Sequence, residues 1–172
     1  EVVYEAKPKM KKVYDSKDVA ILTYMLENAV NYGTGQSAKV LKNGQLIPMA
    51  GKTGTTSDYV SAWFTGYTPT LATVVYVGND DNKSMGPGMT GGAAAAPIWK
   101  TYMQTVVDLP NYNVGVFEFI DDYITRKDLT TRDIDLQIGL LDRDGVNKRT
   151  ALFKTGTEPV ESEGKFRNGI TF

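Results

Sequence analysis

The sequence contains neither cysteine nor histidine, and each absence removes a class of chemistry. Without cysteine there is no disulfide, no zinc–thiolate centre and no thiol nucleophile, although the redox compartment is left open. Without histidine, a Ser-His-Asp hydrolase cannot be confined to this chain, and any metal site would have to be built from carboxylates. Long apolar runs are missing too: none approaches the ~18 residues that cross a bilayer. Nor is there an excess of one charge. The 19 basic and 20 acidic side chains are mixed along the chain to a net charge of -1, so there is no basic field for nucleic acid and no cationic amphipathic face for a membrane surface. The opening Glu1-Val2-Val3-Tyr4 has neither an initiating methionine nor a signal-peptide pattern, which points to a segment of a longer protein.

What is present is 172 residues with 41% apolar side chains, enough to bury one core. The spacing predicts a helix over residues 15–32: Asp15 serves as N-cap, Asp18 follows in the first turn, and Val19, Leu22, Leu26, Ala29 and Val30 share a face. Gly33 stops it. Three extended runs follow, Leu46 to Thr55, Val60 to Tyr67 and Leu71 to Gly78. Their short connections imply an antiparallel meander. In the third run Leu71, Thr73, Val75 and Val77 alternate with Ala72, Val74 and Tyr76, so both faces are expected to be covered. A glycine-rich loop, Gly86 to Gly92, leads to a second helix from Ala93 to Val107 with Pro97 near its start. Residues 108–172 mix short apolar runs with charge and glycine and read as a loosely organised C-terminal extension.

The segment Ala50-Gly51-Lys52-Thr53-Gly54-Thr55-Thr56 places glycines inside a strand, where they cost stability unless a ligand or another backbone approaches closely. Alternation puts Thr53 and Thr55 on one face and Lys52 on the other. The lysine can therefore serve a site only from the strand's edge or end, or across a twist. Such a strand is a candidate rail for an extended substrate. Three other features carry less. Trp63, Phe64 and Tyr67 read as core packing. Gly33-Thr34-Gly35 follows a helix rather than preceding one and reads as a helix stop beside the site's rim. Asn79-Asp80-Asp81-Asn82 lacks the glycine and distal glutamate of a calcium loop and reads as a solvated turn.

Lys-Thr-Gly, with Ser-x-x-Lys and Ser-x-Asn, marks penicillin-binding proteins and serine β-lactamases. The flanks make the match specific. Tyr32-Gly33-Thr34-Gly35, Ala50 to Asp58, Ala62-Trp63-Phe64-Thr65-Gly66-Tyr67-Thr68-Pro69, Val77-Gly78-Asn79-Asp80, Gly91-Gly92 and Ala95-Ala96-Pro97-Ile98-Trp99 resemble class A penicillin-binding proteins in order and spacing. Gly139-Leu140-Leu141 and Gly156-Thr157-Glu158-Pro159 are similar to the tail behind that family's transpeptidase domain. Ser61 departs from the pattern, which has an acidic residue before Ala-Trp-Phe.

The resemblance implies an α+β fold, a mostly antiparallel sheet flanked by helices, of which this chain supplies three strands and two main helices. Residues 1–107 would be the C-terminal portion of the transpeptidase domain and 108–172 an extension. It implies that Lys52 keeps the surroundings of the active-site serine positive and attracts the substrate's terminal carboxylate. Thr53 and Thr55 would offer hydroxyls to that carboxylate or its β-lactam mimic, and the Thr55 N–H would be an oxyanion donor. Lys52, Thr53, Gly54, Thr55 and Thr56 would together form the substrate-binding stretch, with no metal and no cofactor.

The implied reaction is cross-linking of peptidoglycan stem peptides through a serine acyl-enzyme that β-lactams also form. It would take place on the extracytoplasmic face of the membrane, behind an N-terminal anchor outside this chain. Yet no Ser-x-Asn occurs here, and Ser162-Glu163-Gly164-Lys165 lies in a polar tail on the wrong side of the lysine strand. Lys154-Thr155-Gly156-Thr157 runs into Glu158-Pro159 and is set aside as well. The expectation is a fragment whose partner is the upstream part of the same protein carrying the two missing elements, and which is inactive alone. A D,D-carboxypeptidase, a serine β-lactamase or a non-catalytic binding module on the same fold remain as alternatives.

Overall fold

The computed structural model describes residues 3, 5, 9, 11–141 and 147–160; Ser162 to Lys165 lie outside them. Helix α1 spans Ser16–Asn31, capped by the Asp15 carboxylate, which accepts from the Lys17 N–H at 2.8 Å. It ends where a Cβ on Gly33 would stand 2.9 Å from the Ala29 carbonyl oxygen. A short hairpin follows, β1 (Leu41–Lys42) and β2 (Gln45–Leu46). Asn43 and Gly44 make its turn, both at positive φ (53° and 79°), as an Asn-Gly hairpin turn requires.

Pro48 then interrupts pairing, because it has no N–H to give a ladder. The extended run expected from Leu46 therefore divides, and the strand that carries Lys52, β3, is Ala50–Thr55. It pairs antiparallel with β4 (Ser61–Tyr67), which pairs with β5 (Ala72–Gly78), in the order β3-β4-β5. A wide turn at Gly91–Ala95 leads into α2, Ala96–Val107, with its proline in the first turn. The mixture of helices and antiparallel sheet is the α+β architecture expected.

The main core lies between one face of the sheet and α2. Phe64, Trp99, Met103 and Val107 are fully buried with Val30 of α1, each large apolar side chain contributing about 1.5–3 kcal/mol. Phe64 and Trp99 meet edge to face at 5.2 Å, and the Trp99 indole donates to the Thr73 carbonyl at 3.1 Å. The opposite face of β5 is open: Val74 and Tyr76 are 56% and 49% exposed. The expectation that both faces are covered therefore fails among the described residues, since α2 occupies one face only. Of the three aromatics assigned to the core, Trp63 sits on this open face against Tyr76, ring centroids 4.6 Å apart.

The segment expected to be loosely organised contains helix α3 (Glu118–Thr125) and a hairpin of β6 (Leu129–Asp135) with β7 (Lys148–Lys154). Its organisation comes from a second core, Ile120, Leu129 and Leu152 against Ala20 of α1. This core also explains why α1 is rotated from the expected face. Ala20, Thr23 and Val30 are buried, whereas Val19 and Leu22 are exposed. Ala20 is small enough for the hairpin to close on, and the buried Thr23 hydroxyl meets the Tyr67 hydroxyl at 3.0 Å.

Candidate functional site

Strand β3 has one strand neighbour, so one of its edges is unpaired by any strand among the described residues. Which groups face that edge follows from the register. Thr56 N–H donates to the Ser61 carbonyl at 3.0 Å, and β3 pairs Gly54 with Trp63 and Lys52 with Thr65 in the same phase. Antiparallel ladders alternate bonded and non-bonded pairs. The backbone groups of Gly54 and Lys52 are therefore spent on β4, and those of Thr53 and Thr55 point to the open edge.

The side chains converge there by a less direct route. Lys52 starts on the face opposite Thr53, but its flexible stem bends over the edge. Its Nζ donates to the Thr53 carbonyl at 3.0 Å and to Thr53 Oγ1 at 3.2 Å. Thr53 Oγ1 lies 2.7 Å from Thr34 Oγ1, on the loop that ends α1. An ammonium, two hydroxyls and the outward N–H groups of Thr53 and Thr55 thus share one strip of surface. Lys52 forms no ion pair among the described residues, so the strip keeps its positive charge. An ammonium flanked by hydroxyl and amide donors is suited to hold an anionic group.

The other members of the stretch also make local contacts. Thr55 Oγ1 accepts from the Gly91 N–H at 3.0 Å and anchors the wide turn to β3. Thr56 Oγ1 accepts from the Ser61 N–H at 2.8 Å and closes the connection to β4. Gly54 lies beneath Trp63, whose Cβ would be 3.3 Å from an added Cβ. At Ser61, where the resemblance leads one to expect an acid, the hydroxyl accepts from the Trp63 indole at 3.3 Å. The second lysine motif lies elsewhere: Lys154 ends β7 and pairs with Asp18 at 2.6 Å.

Thr34 was not among the site residues expected from sequence. Its signal was a hydroxyl between two glycines, which reads equally well as a helix stop.

A model of the penicillin-binding protein transpeptidase domain matches residues 3–104. Penicillin-binding protein 1A of Aquifex aeolicus is 37% identical over 141 residues, covering 77% of this chain and 18% of that protein. The Pseudomonas aeruginosa protein of the same name is 41% identical over 92 residues, covering 54% of this chain and 11% of its own length. Among solved structures, penicillin-binding protein 1A from Haemophilus influenzae superposes with a TM-score of 0.61 at 29% identity, covering 88% of this chain and 22% of the other. The chain therefore spans less than a quarter of each of these relatives.

Proposed function

The chain belongs to the penicillin-binding protein transpeptidase family, and on that premise we propose that it is the C-terminal portion of a peptidoglycan D-Ala-D-Ala transpeptidase domain. The transpeptidase part ends near residue 107, and 108–172 is an extension, of which the described β7 packs against α1. The nucleophilic serine, with its Ser-x-x-Lys and Ser-x-Asn elements, belongs to a preceding part of the same protein. The work is done outside the cytoplasmic membrane, and no cofactor is used.

The serine attacks the carbonyl between the two D-alanines of a stem peptide. The C–N bond breaks, the terminal D-Ala leaves as the free amine with the proton the serine gave up, and an ester joins the stem to the enzyme. An amine from a neighbouring stem attacks that ester, forms the cross-link and returns a proton to the serine. Dividing the exchange in two replaces one hard step with two easier ones. In this scheme Lys52 and the hydroxyls of Thr53 and Thr55 bind the terminal carboxylate. The outward N–H of Thr55 stabilises the oxyanion, an interaction whose loss typically costs about 3 kcal/mol in the transition state. Gly54 and Thr56 keep the strand close and correctly turned. A β-lactam acylates the same serine and is not resolved by the amine.

The observation that carries this reading is the Lys52 ammonium, without an ion-pair partner among the described residues, beside Thr53 on a strand edge that no described strand covers and that also presents the Thr55 N–H. The test is to treat the full-length protein with fluorescent penicillin. Labelling of a serine preceding Glu1 is expected, with acylation slowed ~100-fold or more by Lys52→Ala. Absence of labelling, or labelling at Ser162, sinks the proposal. Cross-linked rather than trimmed product separates a transpeptidase from a carboxypeptidase.

A further inference from the structure

We propose that Thr34 is a positioning residue for the carboxylate-binding hydroxyl of Thr53, an assignment that rests on the function proposed above. Thr53 Oγ1 has two acceptor positions and one hydrogen. The Lys52 ammonium, which can only donate, takes one acceptor position at 3.2 Å. Thr34 Oγ1, at 2.7 Å, shares a hydrogen bond with Thr53 that can run in either direction. When a carboxylate enters beside Lys52, the hydrogen of Thr53 turns to the stronger acceptor. Thr34 then reverses and fills the second acceptor position. Thr53 keeps Lys52 and Thr34 as its two donors and gains the carboxylate as acceptor, so its side chain stays pinned on two sides while it donates.

This requires Thr34 to be held firmly, and it is. Gly35 N–H donates to the Ala29 carbonyl at 3.0 Å, which ties the loop to the end of α1. The Gln36 amide donates to the carbonyls of Tyr32 and Gly33 at 3.3 and 3.2 Å. From the other side Gly92 closes on the loop so tightly that a Cβ there would lie 2.7 Å from the Thr34 carbonyl oxygen. Arg149 of β7 stacks on the Tyr32 ring, 4.6 Å from its centroid. A hydroxyl fixed in this way orients its neighbour as a supporting shell does, without itself meeting the reacting atoms.

The ligand class is a peptide or β-lactam bearing a free carboxylate, and the test exploits that charge. In the full-length protein, acylation rate constants are measured for benzylpenicillin and for its uncharged methyl ester, with the unsubstituted protein, Thr34→Val and Thr34→Ser. Thr34→Val is expected to slow the acid up to ~10-fold, the upper end for loss of one hydrogen bond between neutral groups, to leave the ester's rate unchanged, and to be rescued by Thr34→Ser. An equal drop for acid and ester indicates damaged folding and overturns the assignment. An unchanged rate for the acid overturns it as well. If the unsubstituted protein reacts with neither compound, the transpeptidase reading itself falls, and the role of Thr34 with it.

Discussion

Gly91 has no room for a side chain. A Cβ there would stand 2.3 Å from the Trp63 carbonyl oxygen and 2.6 Å from that of Gly54, and both obstacles are backbone that cannot rotate away. The close approach is what lets the Gly91 N–H reach Thr55 Oγ1, so a methyl group would push the wide turn off the strand that carries the site. Gly91→Ala should therefore destabilise the protein by about 1–3 kcal/mol and also slow acylation by penicillin. Gly88→Ala is the control. That residue sits at φ 85° in open space, so its cost of about 1 kcal/mol should fall on stability alone. Equal effects on acylation from both would refute the argument. The lysine motif was legible because its glycines and hydroxyls break ordinary strand composition and its flanks repeat a known order. That Lys52 would have to reach the site from the edge, the end or across a twist was legible too, but which of these routes it takes was not. Alternation fixes where a side chain starts, while the reach of a four-carbon stem depends on an acceptor at its far end. Thr34 was hidden for a related reason, since its partner is 19 positions away in sequence.

At the scale of elements, α1 supports both the site and the extension. Its C-terminal end delivers Thr34, and β7 lies along it. Lys154 pairs with Asp18, the Tyr24 hydroxyl donates to the Thr150 carbonyl at 3.2 Å, and Arg149 stacks on Tyr32. These contacts are largely solvent-exposed, and exposed pairs contribute little individually; the docking depends on Leu152 and Leu129 closing on Ala20. Leu152→Ala should cost about 2–4 kcal/mol by opening a cavity there, whereas Lys154→Ala should cost under about 1 kcal/mol. Chemical denaturation of the three proteins checks the order, and a larger loss from Lys154→Ala would reverse the assignment. The hairpin escaped sequence reading because each strand buries one side chain fully, Leu129 in β6 and Leu152 in β7. With so little apolar alternation there is no period to detect. The sheet was plain for the opposite reason: β4 alternates buried Ala62, Phe64 and Gly66 with outward Trp63 and Thr65.

For the molecule as a whole, the two cores meet at α1, and the junction carries a titrating group. Glu27, half-buried where α1 packs against α3, has its carboxyl pushed up to about 7, first because burial penalises the charged form and then because Asp121 repels it. The ordinary value is 4.5, so the folded state holds a proton that the unfolded chain has already released. The stabilisation from that proton is complete below about pH 4.5 and is lost as pH rises through about 7. The sequence has no histidine to share this window. Asp133 does not share it either, since Lys148 and Thr150 hold its carboxyl below the usual range and its contribution fades only in acid. Glu27→Gln removes the ionisation while keeping the shape. It should leave stability near pH 4 unchanged and raise it at pH 8 by about 1 kcal/mol, allowing for the solvent that screens a half-buried carboxylate, or roughly 2–4 °C in Tm. Asp121→Asn should give a smaller gain in the same direction, because repulsion is the second cause and burial the first. Thermal unfolding at the two pH values decides the matter. A gain of equal size at both would mean that the substitution acts through packing and not through charge.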